Sequence, residues 1–340
     1  MLKKLLIYIV GLQLFSYCTK PSGNENLAPT DLTFSANVST DNSGNVAFSA
    51  TAKNAVSYEF DFGNGVFRID ASGSVTYKYP SSGNYTAKVI AKSASGQIAS
   101  KTLQVSVTVS QSLIWSDEFN TAGAPDPSKW GFDIGTGSNG WGNNESQFYT
   151  SRPENVVVSN GTLKIIARRE SYGGSQFTSA RLLTRDKFSF KYGKVEARAK
   201  LPAGVGTWPA IWMLGANIGT VGWPACGEID IMEHKGSQPN RIYGTVHYPG
   251  FSGGNAVGGT VNISNVTTEF HVYGVEWNET AIRFFVDGNL FFTFNNNQNI
   301  PFNHNFFIIM NVAMGGTFGG NIDAAFSNAM MEIDWIRVYQ

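Results

Sequence analysis

Cysteine is nearly absent: Cys18 and Cys226 are the only two in 340 residues, so no disulfide framework holds the fold. Charge is scarce too. Only 15% of residues are charged, and 25 Lys plus Arg balance 25 Asp plus Glu to a formal net charge of +0. No basic field is left for a nucleic-acid backbone. The sequence offers no apolar span of about 18 residues for crossing a bilayer. Leu5–Phe15, behind Lys3 and Lys4, is too short and reads as the apolar part of an export signal. Phosphate loops, zinc-ligand spacings and serine-elbow motifs are missing. What is present is 42% hydrophobic and 13% aromatic residues, with 37 Gly and only 12 Pro. That composition excludes disorder and collagen, and points to short strands joined by tight turns. The length gives a prior of about two domains.

Cys18 directly follows the apolar run and resembles the lipobox of bacterial lipoproteins, in which that Cys is acylated; Tyr17 stands where the pattern has Gly, Ala or Ser. The resemblance implies an exported, outer-membrane-tethered lipoprotein with membrane contact only through this anchor, plain secretion being the alternative. Residues 1–18 are then the signal. Residues 19–28, TKPSGNENLA, are too polar to bury surface and read as a tether.

Residues 29–110 carry alternating runs such as VAFSATA, YEFDF and YTAKVIAKS between NSG, GNG and SSG turns, which predicts a β-sandwich of about 80 residues. YEFDFGNG followed by SGNYTAKVIA resembles the PKD type of immunoglobulin-like domain, with Asn64 in place of the commoner Asp. Asp61 is expected to cap the turn rather than bind a ligand.

From Ser112 to Gln340 the composition changes, and all eight Trp lie there. Strand-like runs such as GTLKIIARRE, YGKVEARAKL and AIRFFVDG recur, and the fold class predicted for residues 112–340 is all-β, one large antiparallel sandwich. The VDGN segment is a hairpin signal.

The chemistry lies in WPACGEIDIMEH, residues 223–234, where Glu228, Asp230 and Glu233 fall within six positions. Alternation puts Glu228 and Asp230 on one face of a strand, and Ile229 and Ile231 on the other. Strict parity would bury Glu233 with the isoleucines. A β-bulge at Ile231 or Met232 returns it to the face of the other two. Glu228 and Glu233 Cα atoms are then roughly 13 Å apart, and leaning side chains bring the carboxyls to about 5 to 6 Å, the spacing of retaining glycoside hydrolysis. Three acids so close cannot all keep ordinary pKa values. Three solvated carboxylates on an exposed strand are the alternative.

EIDIME, with WPA upstream and GTVH downstream, resembles the catalytic strand of glycoside hydrolase family 16 in its laminarinase form, and the resemblance extends through WSDEFN, GWGNNESQFYT, SARLLT and MEIDWIRVYQ. It implies a concanavalin A-like β-jelly-roll and retaining endo-hydrolysis of β-1,3-glucan. Glu228 is then the nucleophile, Glu233 the acid/base, and Asp230 the carboxylate that orients the nucleophile. Trp208, Trp212 and Trp223 would be sugar-stacking subsites, with core packing as the alternative. Trp141 would cover one end of the cleft. Arg181 and Asn143 would bond substrate hydroxyls, or else pair on the surface. His247 would orient a carboxylate or a hydroxyl, or serve only the structure, while His234 faces away. No cofactor serves catalysis. A structural Ca²⁺ would sit on Glu118, Gly161 and Asp334, unless these acids pair with Arg337 or Lys164 instead. Phe318 in GGTFGG occupies a position that is often Trp in the family. The implied partner is a β-glucan polysaccharide and the chain is expected to be a monomer. A mixed-linkage glucan, a galactan or a non-catalytic glucan-binding role are the rivals, the last disfavoured by all three carboxylates being present.

Overall fold

The computed structural model describes residues 27–340; the signal and lipobox reading at Cys18, and the tether as far as residue 26, lie outside the described residues. Contacts divide the chain into a unit that ends at Thr108 and a second from Val109 to Gln340.

The first unit has two antiparallel sheets. One orders Thr30–Val38, Asn45–Lys53 and Ser74–Lys78; the other orders Phe67–Asp70, Ser57–Asp61, Gly83–Lys92 and Ile98–Val107. Their alternating strands bury Phe48, Phe60, Val89 and Ala91. Asp61 caps its turn, as its position predicts: its Oδ1 accepts the Gly63 N–H at 2.8 Å. Phe62 stacks on Tyr77 at 4.0 Å, and the buried Tyr79 hydroxyl donates to the Phe62 carbonyl at 2.8 Å.

The second unit is a larger two-sheet sandwich. Its seven-stranded sheet runs, in spatial order, Val257–Asn262, Arg241–His247, Glu228–His234, Thr207–Gly215, Phe306–Met314, Arg181–Leu183, Gly131–Phe132. A ten-stranded sheet backs it, with Thr162–Tyr172, Asn328–Tyr339, Gly193–Lys200 and His271–Trp277 adjacent at its centre. These central strands alternate: Leu163, Ile165 and Ala167 point inward, as do Val195, Ala197 and Ala199. Against them pack Ile211, Met213, Ile229, Ile231, Met232, Ile308 and Met310 from the smaller sheet, in one continuous core. The VDGN signal is a hairpin between Ala281–Val286 and Asn289–Asn295, and Asp287 and Gly288 take φ of 50° and 76°, the primed-turn conformation.

Phe306–Met314 is buried along its whole length, and Thr207–Gly215 nearly so. These strands hold the centre of the sheet, so side chains projecting from the other face of their neighbours are displayed on a stiff support. Because the second unit has its own two-sheet core, a fragment starting at Val109 is expected to fold with a single cooperative thermal transition. A broad, non-cooperative melt monitored by circular dichroism would show that the core is incomplete without the preceding residues.

Candidate active site

Glu228–His234 carries the irregularity that parity demands. Toward Thr207–Gly215, Met232 pairs with Ile211 and Asp230 with Trp212, so Ile231 is skipped. Toward Arg241–His247, Asp230 pairs with Thr245 and Glu233 with Tyr243, three steps against two. The bulge is therefore at Ile231, the first of the two positions that the sequence left open. Ile229, Ile231 and Met232 all go into the core, and Glu233 joins Glu228 and Asp230 on the opposite face.

The register then sets neighbours side by side. Glu233 lies in a row with Ala210, Asn311 and Arg181; Asp230 with Thr245, Trp212 and Ile309; Glu228 with His247, Leu214 and Phe307. Each outer carboxylate has its own grip. Trp208 Nε1 donates to Glu233 Oε1 at 3.0 Å and Thr245 Oγ1 to Oε2 at 3.3 Å. Trp223 Nε1 donates to Glu228 Oε2 at 3.0 Å, although its side of the ring leaves the residue 49% exposed and open to a ligand. His247 Nε2 lies 3.1 Å from Asp230 Oδ2 and 3.7 Å from Glu228 Oε1.

Burial pushes all three acids upward. Glu228 rises to about 8, by burial first and the Asp230 charge second. Asp230, the most buried, goes well above the usual carboxylate range, from burial and then Glu233. Burial also raises Glu233, opposed first by His247 and then by the Trp208 N–H, the Thr245 hydroxyl and Lys235. The cluster therefore keeps protons at neutral pH, as three crowded carboxyls must.

Arg181 is clamped between two indoles, its guanidinium 4.6 Å from the Trp141 ring and 4.8 Å from Trp212, with Nε 3.0 Å from Asp133. Trp212 Nε1 donates to Asn311 Oδ1 at 2.8 Å. Trp208, Trp212 and Trp223 are thus polar anchors as well as apolar surfaces. Asn143 donates to Glu145 at 3.1 Å within its own loop. His234 is fully buried on the far side, and burial lowers its pKa. Phe318 packs 5.1 Å from Trp208 and 5.1 Å from Tyr243, extending the aromatic wall beside Glu233.

Sequence reasoning missed Thr245, Asn311, Asp133 and the Glu145 hub. Two signals were available. Thr245 is two residues before His247 and so shares its face, and Asn311 is a lone amide in the apolar run FFIIMNVAM, where a polar side chain must have a partner.

The strand face therefore has two carboxyls held by separate donors, a third buried between them, and indoles on either side. Comparison with known proteins agrees. Residues 143–337 match the family described as glycosyl hydrolases family 16. A beta-glucanase from Rhodothermus marinus is 46% identical over 244 residues, 67% of this chain and 85% of that protein. The chain belongs to glycosyl hydrolase family 16. The family 16 chain is also similar to the X-ray structure of the laminarinase from Rhodothermus marinus, with 47% identity and a TM-score of 0.65 over 68% of this chain and 98% of that one. It is 42% identical to the clotting factor G alpha subunit of Tachypleus tridentatus, covering 67% of this chain but 34% of that protein. Residues 29–113 match the PKD domain. The protein is a glycoside hydrolase with an all-β jelly-roll and an N-terminal PKD domain.

Two of the calcium ligands that the family resemblance implies, Glu118 and Asp334, are engaged by guanidinium groups in this arrangement. Both Glu118 oxygens accept from Arg337, at 2.9 and 2.8 Å, and that pair holds its carboxyl below the usual range. Asp334, the extra residue of a bulge opposite Arg198 and Ala199, pairs with Arg198 at 2.5 Å rather than with Lys164 or Arg337. Gly161 occupies its turn with φ of 71°. A dication there would compete with two guanidinium groups for the same oxygens.

Deleting Ile231 would remove the bulge and move Glu233 relative to Glu228. Since about 1 Å of misplacement can cost a hundredfold in rate, turnover of soluble glucan should fall at least that far while the far-UV spectrum is kept. Undiminished turnover would show that the bulge does not set the geometry.

Proposed function

We propose that this chain hydrolyses β-1,3-glucan internally and with retention, the observation that carries the reading being two separately gripped carboxyls on one face with a buried third between them. The laminarinase of Rhodothermus marinus supports the substrate class, and family 16 is a retaining family. Glu228 attacks the anomeric carbon while Glu233 protonates the leaving oxygen. A glycosyl-enzyme ester results. Glu233, now a carboxylate, then takes a proton from water as that water attacks the same carbon. Asp230 holds the proton that the crowded pair cannot release, and so keeps Glu228 in its accepting form. The exposed indole of Trp223 and the wall of Trp208 and Phe318 offer flat apolar surfaces for pyranose rings. Export, with lipidation at Cys18, suits a polymer substrate too large to enter a cell.

The test is product analysis on laminarin, lichenan and agarose, with NMR of the first products. Laminarin should be the best substrate, cut to oligosaccharides of β-configuration. Initial α-anomers would refute retention. Glu228→Gln and Glu233→Gln should each lower kcat by at least about a thousandfold with glucan binding preserved, and near-wild-type turnover in either would remove the assignment.

The pH profile tests the division of labour. The Trp208 N–H favours the Glu233 anion, so Trp208→Phe should raise the Glu233 pKa. The acid must be protonated to act, so the alkaline limb of kcat should move to higher pH. A shift of that limb to lower pH would mean that Glu233 is not the acid.

A further inference from the structure

His247 touches the acid cluster through one ring nitrogen, and its other nitrogen is tied elsewhere. The backbone N–H of Gly253, in the segment that follows the Arg241–His247 strand, donates to His247 Nδ1 at 3.2 Å. A backbone N–H can only donate, so Nδ1 must be the bare, accepting nitrogen. The neutral ring then carries its proton on Nε2. That nitrogen lies 3.1 Å from Asp230 Oδ2, a buried oxygen with no hydrogen-bond partner of its own. Two independent observations thus require the same tautomer: a donor facing Nδ1, and an unsatisfied acceptor facing Nε2.

We infer that the Gly253 amide locks His247 as its Nε2–H tautomer, and that His247 is a positioning residue which reserves Asp230 Oδ2 as an acceptor and so directs the Asp230 proton onto its other oxygen, Oδ1. The argument rests on the catalytic reading above and deepens it. If Asp230 carried its proton on Oδ2, that proton would point at Nε2–H, two donors face to face. With Oδ2 reserved as an acceptor, the acid proton can sit only on the other oxygen. The hydrogen bonds then run in one direction, from Gly253 to His247 to Asp230 Oδ2.

The same assignment decides a competing use of the cluster. One ligand atom each from Glu228, Asp230 and His247 lies within 4.8 Å of the others, a spacing that would suit a metal ion. A nitrogen that bears a proton offers no lone pair, so in this tautomer the His247 nitrogen that faces the acids, Nε2, is not a metal ligand.

The test uses ¹⁵N-labelled imidazoles in the full chain, which has four His; the His247 signals are identified by their loss in His247→Gln. Long-range ¹H–¹⁵N correlation at neutral pH should show His247 protonated on Nε2 and bare on Nδ1. A proton on Nδ1, or on both nitrogens, overturns the inference. The second arm compares two amides. Gln can place its N–H₂ where Nε2 stands, whereas Asn reaches only the Nδ1 position, so His247→Gln should keep about 10- to 100-fold more kcat than His247→Asn, with KM alike. Equal loss in both, or a better Asn variant, overturns it. The tautomer measurement needs no variant to be active. A wild-type chain without hydrolysis would instead remove the catalytic reading, leaving the tautomer result intact.

Discussion

Ile231 has no cross-strand partner on either side, and that irregularity is what sets Glu233 beside Glu228 and Asp230. Without it the two-residue period of a strand would drive Glu233 into a core of Ile, Met and Phe side chains, where an ionisable group is several kcal/mol out of place. The bulge also explains why Ile231 and Met232, adjacent in the chain, can both be buried on the same face as Ile229. The flanking strands then contribute directly opposite or one step along: Trp208 and Thr245 reach diagonally to Glu233, Trp212 stands opposite Asp230, and His247 stands opposite Glu228 and reaches Asp230.

Electrostatics follows from the same packing. Three carboxyls withdrawn from water within one short strand cannot all ionise, and the environment separates them by what each is bonded to. Asp230, buried deepest and with an oxygen that only His247 approaches, is the place to store a proton. Glu228 and Glu233 are each met by an indole N–H, a neutral donor that orients a carboxyl without adding a competing charge. The positive charge of Arg181 is held in turn by Asp133 and by two aromatic faces, which keeps it from collapsing onto the acids.

Much of this was legible in the sequence because it depends on period. Alternation alone placed Glu228 and Asp230 together, required a bulge for Glu233, and located the bulge to within one residue. Asp61 as a turn cap and Asp287–Gly288 as a hairpin turn were readable because those side chains act locally. Contacts between distant segments were not readable. Arg181 with Asp133, Asp334 with Arg198, and Gly253 with His247 depend on how strands are ordered in the sheet and where loops fold back, which no spacing in the chain encodes. The two acids of the implied calcium set illustrate the limit: Arg337 was open to either of them, and that it takes Glu118 while Arg198 takes Asp334 becomes visible only once the strands are paired.

The loop that carries Trp141 shows how the cleft comes to be preformed. Asn139, Gly140, Trp141, Gly142 and Asn144 all have positive φ, and Trp141 itself is at 56°. For an aromatic residue this conformation is unfavourable by about 1 to 3 kcal/mol. Gly137 makes the turn possible, since a Cβ there would lie 2.6 Å from the Trp141 ring. The strain is opposed by the stack on Arg181, about 0.5 to 2 kcal/mol, and by Glu145, whose carboxylate accepts from Asn143, Gln147 and Tyr149. Tyr149 in turn receives a hydrogen bond from Asn311, whose Oδ1 holds Trp212. One polar chain therefore runs from the strained loop through the sheet to the floor beneath the acids. Moving the loop would break several hydrogen bonds together and the Trp141 stack on Arg181 with them, so the ring is held before any sugar arrives, and binding need not supply the ordering of that loop.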